Sequence, residues 1–254
     1  MEENSSLVLG LDVSTKCIGV CLMEDDGSDY GKIIELTHIN PIIPSNTSEN
    51  EKLYLKKKVF QEFVEKYKDF NITHVIIEEP LMRSTNVYTV STLLRFNGMI
   101  SDCVYNTLGV APEYVSSYDA RKYAFPELMS VRKYDKNGKP YIKSKIISEI
   151  KNGSLVLFGS YPWSIDKKLI IQDLVSDIFP DINWIYDKNG ELKKENYDAC
   201  DSYVCVLAYL HKKRYGELKF TTKIVNESND ESGKTSIEYE LKYWDKELHR
   251  TVYL

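Results

Sequence analysis

The chain reads as an α/β protein: one mixed five-stranded sheet with helices on both faces, plus a C-terminal β extension. Three observations predict this. Apolar, β-branched runs come in the order three strands, helix, strand, helix, strand, then helices, a succession that layers helices on a sheet. Acidic residues stand at the ends of these runs: Asp12 in LVLGLDVSTKCIGVCLM, Glu78 and Glu79 in THVIIEEPLM, and Asp198 with Asp201 in ENYDACDSYVCVLAYL. Beyond residue 215 the pattern changes to KFTTKIV, TSIEYELKYW and RTVYL, which read as two or three further strands.

Each element has its own signal. Residues 6–14 and 17–24 are apolar runs split by the polar turn Ser14-Thr15-Lys16, an antiparallel hairpin. GKIIELTHI at 31–39 is a third strand, and a polar stretch then leads into a helix over about 50–69. There Leu53, Val59, Phe60, Phe63, Val64 and Tyr67 approximate one apolar stripe. THVIIEE is a short buried strand ended by Pro80. Residues 86–108 follow a helical pattern around Gly98, whose conformational cost of about 1 kcal/mol suggests close packing. VAPEYVSS is a strand, and SSYDARKY opens a helix with a Ser or Asp cap. Residues 126–165 are basic and irregular, with room for one short helix over 142–151. Residues 166–179 form an amphipathic helix, 180–196 a loop with the turn DKNGE, and a last helix starts near Asn196. This order is that of the ribonuclease-H-like core. The expected organisation is one domain over 1–215 with a basic insertion at about 126–165, and an extension over 216–254 packed on it.

Composition narrows the setting. A net charge of −5 and a pI near 5.5 count against a generic nucleic-acid binder. Local basic stretches stand out against it: 52–58, 132–145 and 211–214. The middle one carries six Lys or Arg against one Asp, with Tyr134 and Tyr141 interleaved, a mixture that can hold phosphates and stack on bases. Arg132, Lys133, Lys143, Lys145 and Lys167 are the candidate DNA contacts. No apolar run approaches the roughly 20 residues a membrane span needs. The polar start MEENSSLVLG has no basic leader, and five cysteines without finger spacing read as reduced, mostly buried thiols. A cytoplasmic setting is expected.

The acidic residues point to chemistry. Carboxylates are costly to bury alone, so several gathered at the ends of core elements predict a shared cation. All-oxygen ligands suit magnesium, with manganese as a substitute. Asp12 can reach from the first strand and Glu78 from a parallel neighbour. Asp198 and Asp201, three apart, lie on one helix face. Such a set can hold two ions about 3.5–4 Å apart around a phosphodiester. Strand neighbours face opposite sides, so only one of Glu78 and Glu79 points inward. Both faces of that strand are apolar, and alternation does not choose between them. A lysine beside the phosphate would stabilise developing charge; Lys167, Lys168, Lys143 and Lys145 are the candidates.

These segments resemble the RuvC-type Holliday junction resolvases. GLDVSTKCIGV is similar to that family's first strand and turn, IIEEPLM to its glutamate-bearing strand end, and LLRFNGMISDCVYNTLGV to its glycine-containing helix. SSYDARKY, KKLIIQDLV and YDACDSYVCVLAYLH are similar to its later segments. The resemblance covers residues 7–125 and 166–213. It implies Asp12, Glu78, Asp198 and Asp201 as metal ligands and Lys168 as the active-site lysine. It implies a homodimer that cuts four-way DNA junctions with magnesium. Leu81 and Met82 stand where the family carries an aromatic, with Tyr88 as the candidate replacement. That departure, the long basic insertion and the C-terminal extension imply a divergent branch, with a viral source as one expectation. GLDVST also fits the GxDxxT phosphate loop of actin-like and sugar-kinase ATPases. Those enzymes use a second such domain and a second glycine-rich loop, and neither is visible here. A noncatalytic scaffold would be expected to lose an acidic ligand, and all four are present.

Overall fold

The computed structural model describes residues 6–80, 86–125, 133–134, 148–151, 154–157, 167–216, 220–229, 235–245 and 250–253. They divide into two compact units, 1–120 with 168–209 and 121–167 with 210–254.

The first unit holds the mixed five-stranded sheet. Strand β1 (Ser6–Val13) forms an antiparallel hairpin with β2 (Ile18–Asp25), and β3 (Lys32–Ile39) extends it. The hairpin turn is closed by Ser14, whose hydroxyl donates to the Cys17 carbonyl at 2.8 Å and accepts from the Cys17 amide at 3.1 Å. β4 (Ile72–Glu78) lies parallel to β1, and β5 (Glu113–Val115) lies parallel to β4. The order is β3-β2-β1-β4-β5. Between the strands run α1 (Glu49–Val64), capped by the Ser48 side chain, and α2 (Val87–Leu108), capped by Asn86. A 3-10 turn over Glu65–Tyr67 extends α1 nearly as far as predicted. α3 (Ser117–Ala124) starts behind Ser116, whose hydroxyl accepts from the Asp119 amide at 3.0 Å.

Alternation divides the sheet cleanly. Leu9, Leu11 and Val13 of β1, Val20 and Leu22 of β2, and Val75 and Ile77 of β4 pack in one buried cluster with Leu53 and Phe60 of α1 and Phe96 and Ile100 of α2. The opposite face, with Gly10 and Gly19, lies against α5 (Glu195–Tyr215). That helix is buried along most of its length, from Ala199 to Leu210, as its nearly unbroken apolar sequence demands. α4 (Lys167–Ile178) buries Ile171, Gln172 and Val175. All five cysteines are buried and free. Among the described residues, no helix is long and apolar enough to cross a membrane.

Two local expectations are corrected. Residues 148–151, read as the end of a short helix, form β7 (Ser148–Lys151), paired antiparallel with β8 (Ser154–Leu157) in the second unit. Residues 142–147 lie outside the described residues. Gly98 is exposed, and a Cβ there would meet nothing within 4 Å, so close packing within the chain is not its reason.

The second unit also joins segments that sequence keeps apart. β6 (Lys133–Tyr134) of the basic insertion pairs with β10 (Thr235–Asp245), which also pairs with β9 (Phe220–Asn229) and β11 (Arg250–Tyr253). Among the described residues the C-terminal β segment forms three strands, and one sheet draws on both segments.

Candidate metal centre

Asp12 lies one residue from the end of β1, and Glu78 is the last residue of the parallel neighbour β4. The sheet decides between the two glutamates. Val75 and Ile77 belong to the buried cluster with α1 and α2, which sends Glu79 to that side and Glu78, with Ile76, to the α5 side. Glu79 is exposed. Asp201 comes down from the second turn of α5 and is buried. Carboxylate oxygens of Asp12, Glu78 and Asp201 all lie within 4.8 Å of one another.

Asp198, one turn earlier, stands beside this trio rather than in it. Lys168 of α4 bridges the two aspartates, its Nζ 3.1 Å from Asp201 Oδ2 and 3.3 Å from Asp198 Oδ1. Its spacing from Ile171, Gln172 and Val175 puts it on the buried stripe of α4. The charge of Asp198 also acts on the buried Cys17 thiol nearby.

Two glycines bring these groups together. Gly19 is the cross-strand partner of Asp12, and a Cβ on it would run into the backbone carbonyl of Asp198. A Cβ on Gly10 would strike the Ser202 carbonyl oxygen and the Val206 side chain. With only hydrogens there, the backbone of α5 seats directly on β1 and β2, and its aspartates reach the strand ends. Asn97 of α2 supports the end of β1 from the other face. It is 2% exposed, and its Nδ2 donates to the Val13 carbonyl at 3.4 Å and the Leu93 carbonyl at 3.1 Å.

The electrostatics are those of crowded anions. Burial pushes the Asp12 carboxyl well above the usual carboxylate range, and Glu78, Asp201 and Asp198 push it further, against the pull of Lys168. For Lys168, burial acts downward, but Asp201, Asp198 and Asp12 outweigh it and hold the ammonium above the ordinary lysine range. Burial raises the Cys17 thiol, and Asp198 raises it again. The donor set fits a hard divalent cation. It offers carboxylate oxygens only, close enough to share one ion, and its own repulsion is what a cation would relieve.

The remaining predicted residues divide as follows. Lys167 opens α4, and Lys133 falls in β6. Arg132, Lys143, Lys145, Leu81 and Met82 lie outside the described residues. Tyr88 is exposed near the start of α2. Sequence reasoning missed Gly10, Gly19, Cys17 and Asn97 as parts of the site. A glycine inside a β-branched strand is itself a sign of close backbone approach, so both glycines were findable. Nothing local marked Cys17 or Asn97.

Sheet order, parallel pairing and helix placement define a mixed five-stranded, ribonuclease-H-like α/β fold. No model of a known protein family matches the chain, and no curated protein matches it. Solved structures do. Thermus thermophilus RuvC in complex with a Holliday junction substrate aligns with a TM-score of 0.50 at 10% identity, over 82% of this chain and 95% of that one. A second Thermus thermophilus RuvC structure aligns at 0.46 and 13% identity over the same shares. The Aquifex aeolicus PPX-GPPA enzyme aligns at 0.32 and 12% identity, over 49% of this chain and 40% of that one. At such identity the likeness to the junction-bound RuvC shows a shared fold.

Proposed function

We propose that this chain is a divalent-metal-dependent, structure-selective DNA endonuclease that resolves four-way junctions as a homodimer. The observation that carries the reading is the Asp12–Glu78–Asp201 group, gathered from two parallel strand ends and a buried helix, with Lys168 against it. Asp12, Glu78 and Asp201 hold magnesium, or manganese in its place, and Asp198 completes a set for two ions. When bound, the cations polarise the phosphodiester and activate a hydrolytic water. Lys168 keeps Asp198 and Asp201 oriented and presents positive charge to the phosphate as its charge grows in the transition state. The carboxyl ends of parallel strands, where Asp12 and Glu78 lie, are the usual place for a ligand in an open α/β sheet.

The junction substrate is supported by the likeness to a RuvC that binds one. The homodimer is supported by α2. Its outer side exposes Val87, Leu94 and Tyr105 and leaves open space at Gly98, where a second helix could approach closely. A two-fold enzyme suits a junction with near two-fold symmetry. Another branched or hybrid substrate, such as a flap or an RNA–DNA hybrid, is the second substrate reading, since Leu81 and Met82 stand where junction resolvases of this kind carry an aromatic.

The test is cleavage of a labelled synthetic four-way junction, with linear duplex, flap and RNA–DNA hybrid controls, in magnesium and in EDTA. Paired, symmetric, magnesium-dependent nicks in the junction alone are expected. Cleavage of the flap or hybrid instead moves the substrate assignment. No cleavage of any substrate overturns the nuclease reading.

A further inference from the structure

The acidic group borders a cavity of about 790 Å³ whose character is opposite in sign. Four lysines line it: Lys16, Lys56, Lys168 and Lys194. Its two acidic residues are already engaged. Asp198 is paired with Lys168, and Glu195 accepts from Asn40 Nδ2 at 3.2 Å. Lys16, Lys56 and Lys194 form no ion pair among the described residues. The Lys56 ammonium donates to the Thr15 carbonyl, and burial lowers its pKa despite the attraction of Glu49. Uncompensated ammonium groups around one concavity repel a metal ion, so the cavity is no annex of the cation site. They attract a multiply charged anion. The volume lies within the range of about 300–1,000 Å³ typical of small-molecule sites, larger than one phosphate requires. Pro41 and Tyr197 supply its apolar walls. Asp198 and Lys168 belong to both cavity and acidic centre, so a chain of phosphates can pass from one to the other.

We infer that this cavity seats the nucleotide of a DNA strand adjoining the scissile phosphate, with Lys16, Lys56 and Lys194 on its phosphates and Tyr197 against its base. The inference rests on the nuclease reading and adds to it the place where the strand is gripped. It also shows how an acidic protein holds DNA: a small basic cavity beside the acidic centre does what net charge does not.

The test measures anisotropy of fluorescein-labelled junction and single-stranded DNA on the full chain, with calcium replacing magnesium. It compares wild type, Lys16→Gln/Lys194→Gln, Tyr197→Ala and Tyr197→Phe across a salt series. The lysine pair is expected to weaken binding to both DNAs about tenfold or more and to reduce the salt slope by about 2. Tyr197→Ala is expected to lose about tenfold, the scale of one base stack, and Tyr197→Phe to retain binding. A metal-induced thermal shift equal to wild type shows that a variant is folded. If the double variant does not fold, Lys194→Glu carries the same test. Wild-type DNA binding that survives the lysine changes with affinity and slope intact overturns the cavity assignment and leaves the nuclease reading standing. No DNA binding by wild type, with ATP binding abolished by the lysine pair, overturns both and makes the cavity a mononucleotide site.

Discussion

Replacing Asp12 by Asn should stabilise the metal-free protein and abolish its response to metal. Carboxylate oxygens of Asp12, Glu78 and Asp201 lie within 4.8 Å of one another. Two unit charges at that distance repel by about 3–4 kcal/mol at an effective dielectric of about 20. Proton uptake caps the penalty at about 1.4 kcal/mol per pH unit above the unfolded carboxyl pKa, or about 4 kcal/mol at pH 7. Lys168 offsets part of it. A net gain of about 2 kcal/mol is expected for Asp12→Asn in EDTA, a rise in Tm of about 4–8 °C. The sign with pH follows from the direction of the shift. The folded Asp12 pKa is raised, so its carboxylate penalises the fold only above the unfolded value of 3.8, increasingly so until pH passes the folded value. The advantage of the variant is therefore absent below about pH 4 and grows as pH rises toward neutrality. Magnesium at ten times its Kd should stabilise wild type by about 1.4 kcal/mol and leave the variant unmoved. Calorimetry of both proteins, in EDTA and in magnesium, at several pH values reads all of this. A variant that melts lower in EDTA and keeps the full magnesium shift would refute the reasoning, because Asp12 would then be neither crowded nor a ligand.

Gly19→Ala forces a methyl against the Asp198 carbonyl, with an expected cost of about 1–3 kcal/mol by urea denaturation and loss of the magnesium-induced thermal shift; unchanged values would mean that α5 does not bear on β2 as described. Lys168→Met should lower cleavage by about 100-fold or more while metal still raises Tm, and retention of full activity would remove Lys168 from the reaction. A thiol reagent at pH 8 should label none of the five buried cysteines in the folded protein and all five in denaturant. Rapid labelling of Cys17 in the native state would contradict its burial and the upward shift that burial and Asp198 give its thiol.

Much of the fold was legible because its elements are strongly patterned. β1, β2 and β4 are β-branched runs bounded by polar turns, and α5 carries a nearly unbroken apolar stretch from Ala199 to Leu210, so burial of these segments was the expected outcome. The acidic residues were legible because a carboxylate beside such a run needs a reason. The glutamate choice was not, because Ile76 and Ile77 make both faces of β4 apolar; only packing on α1 and α2 separates Glu78 from Glu79. Asp198 and Asp201 looked equivalent by spacing. The close seating of α5 at Gly19 separates them: Lys168 bridges both, but only Asp201 joins the trio with Asp12 and Glu78. The short helix over 142–151 failed at its last four residues because pairing between Ser148–Lys151 and Ser154–Leu157 is a tertiary choice that local propensity does not encode.

The most direct test of the shared cation site is a manganese titration of the metal-free protein, with free ion counted by electron paramagnetic resonance, for wild type and Asp201→Asn. Saturable binding of two ions per wild-type chain, lost or reduced to weak residual binding in the variant, is the predicted result. A wild-type protein that binds no manganese, or a variant that binds it as well as wild type, would contradict the account.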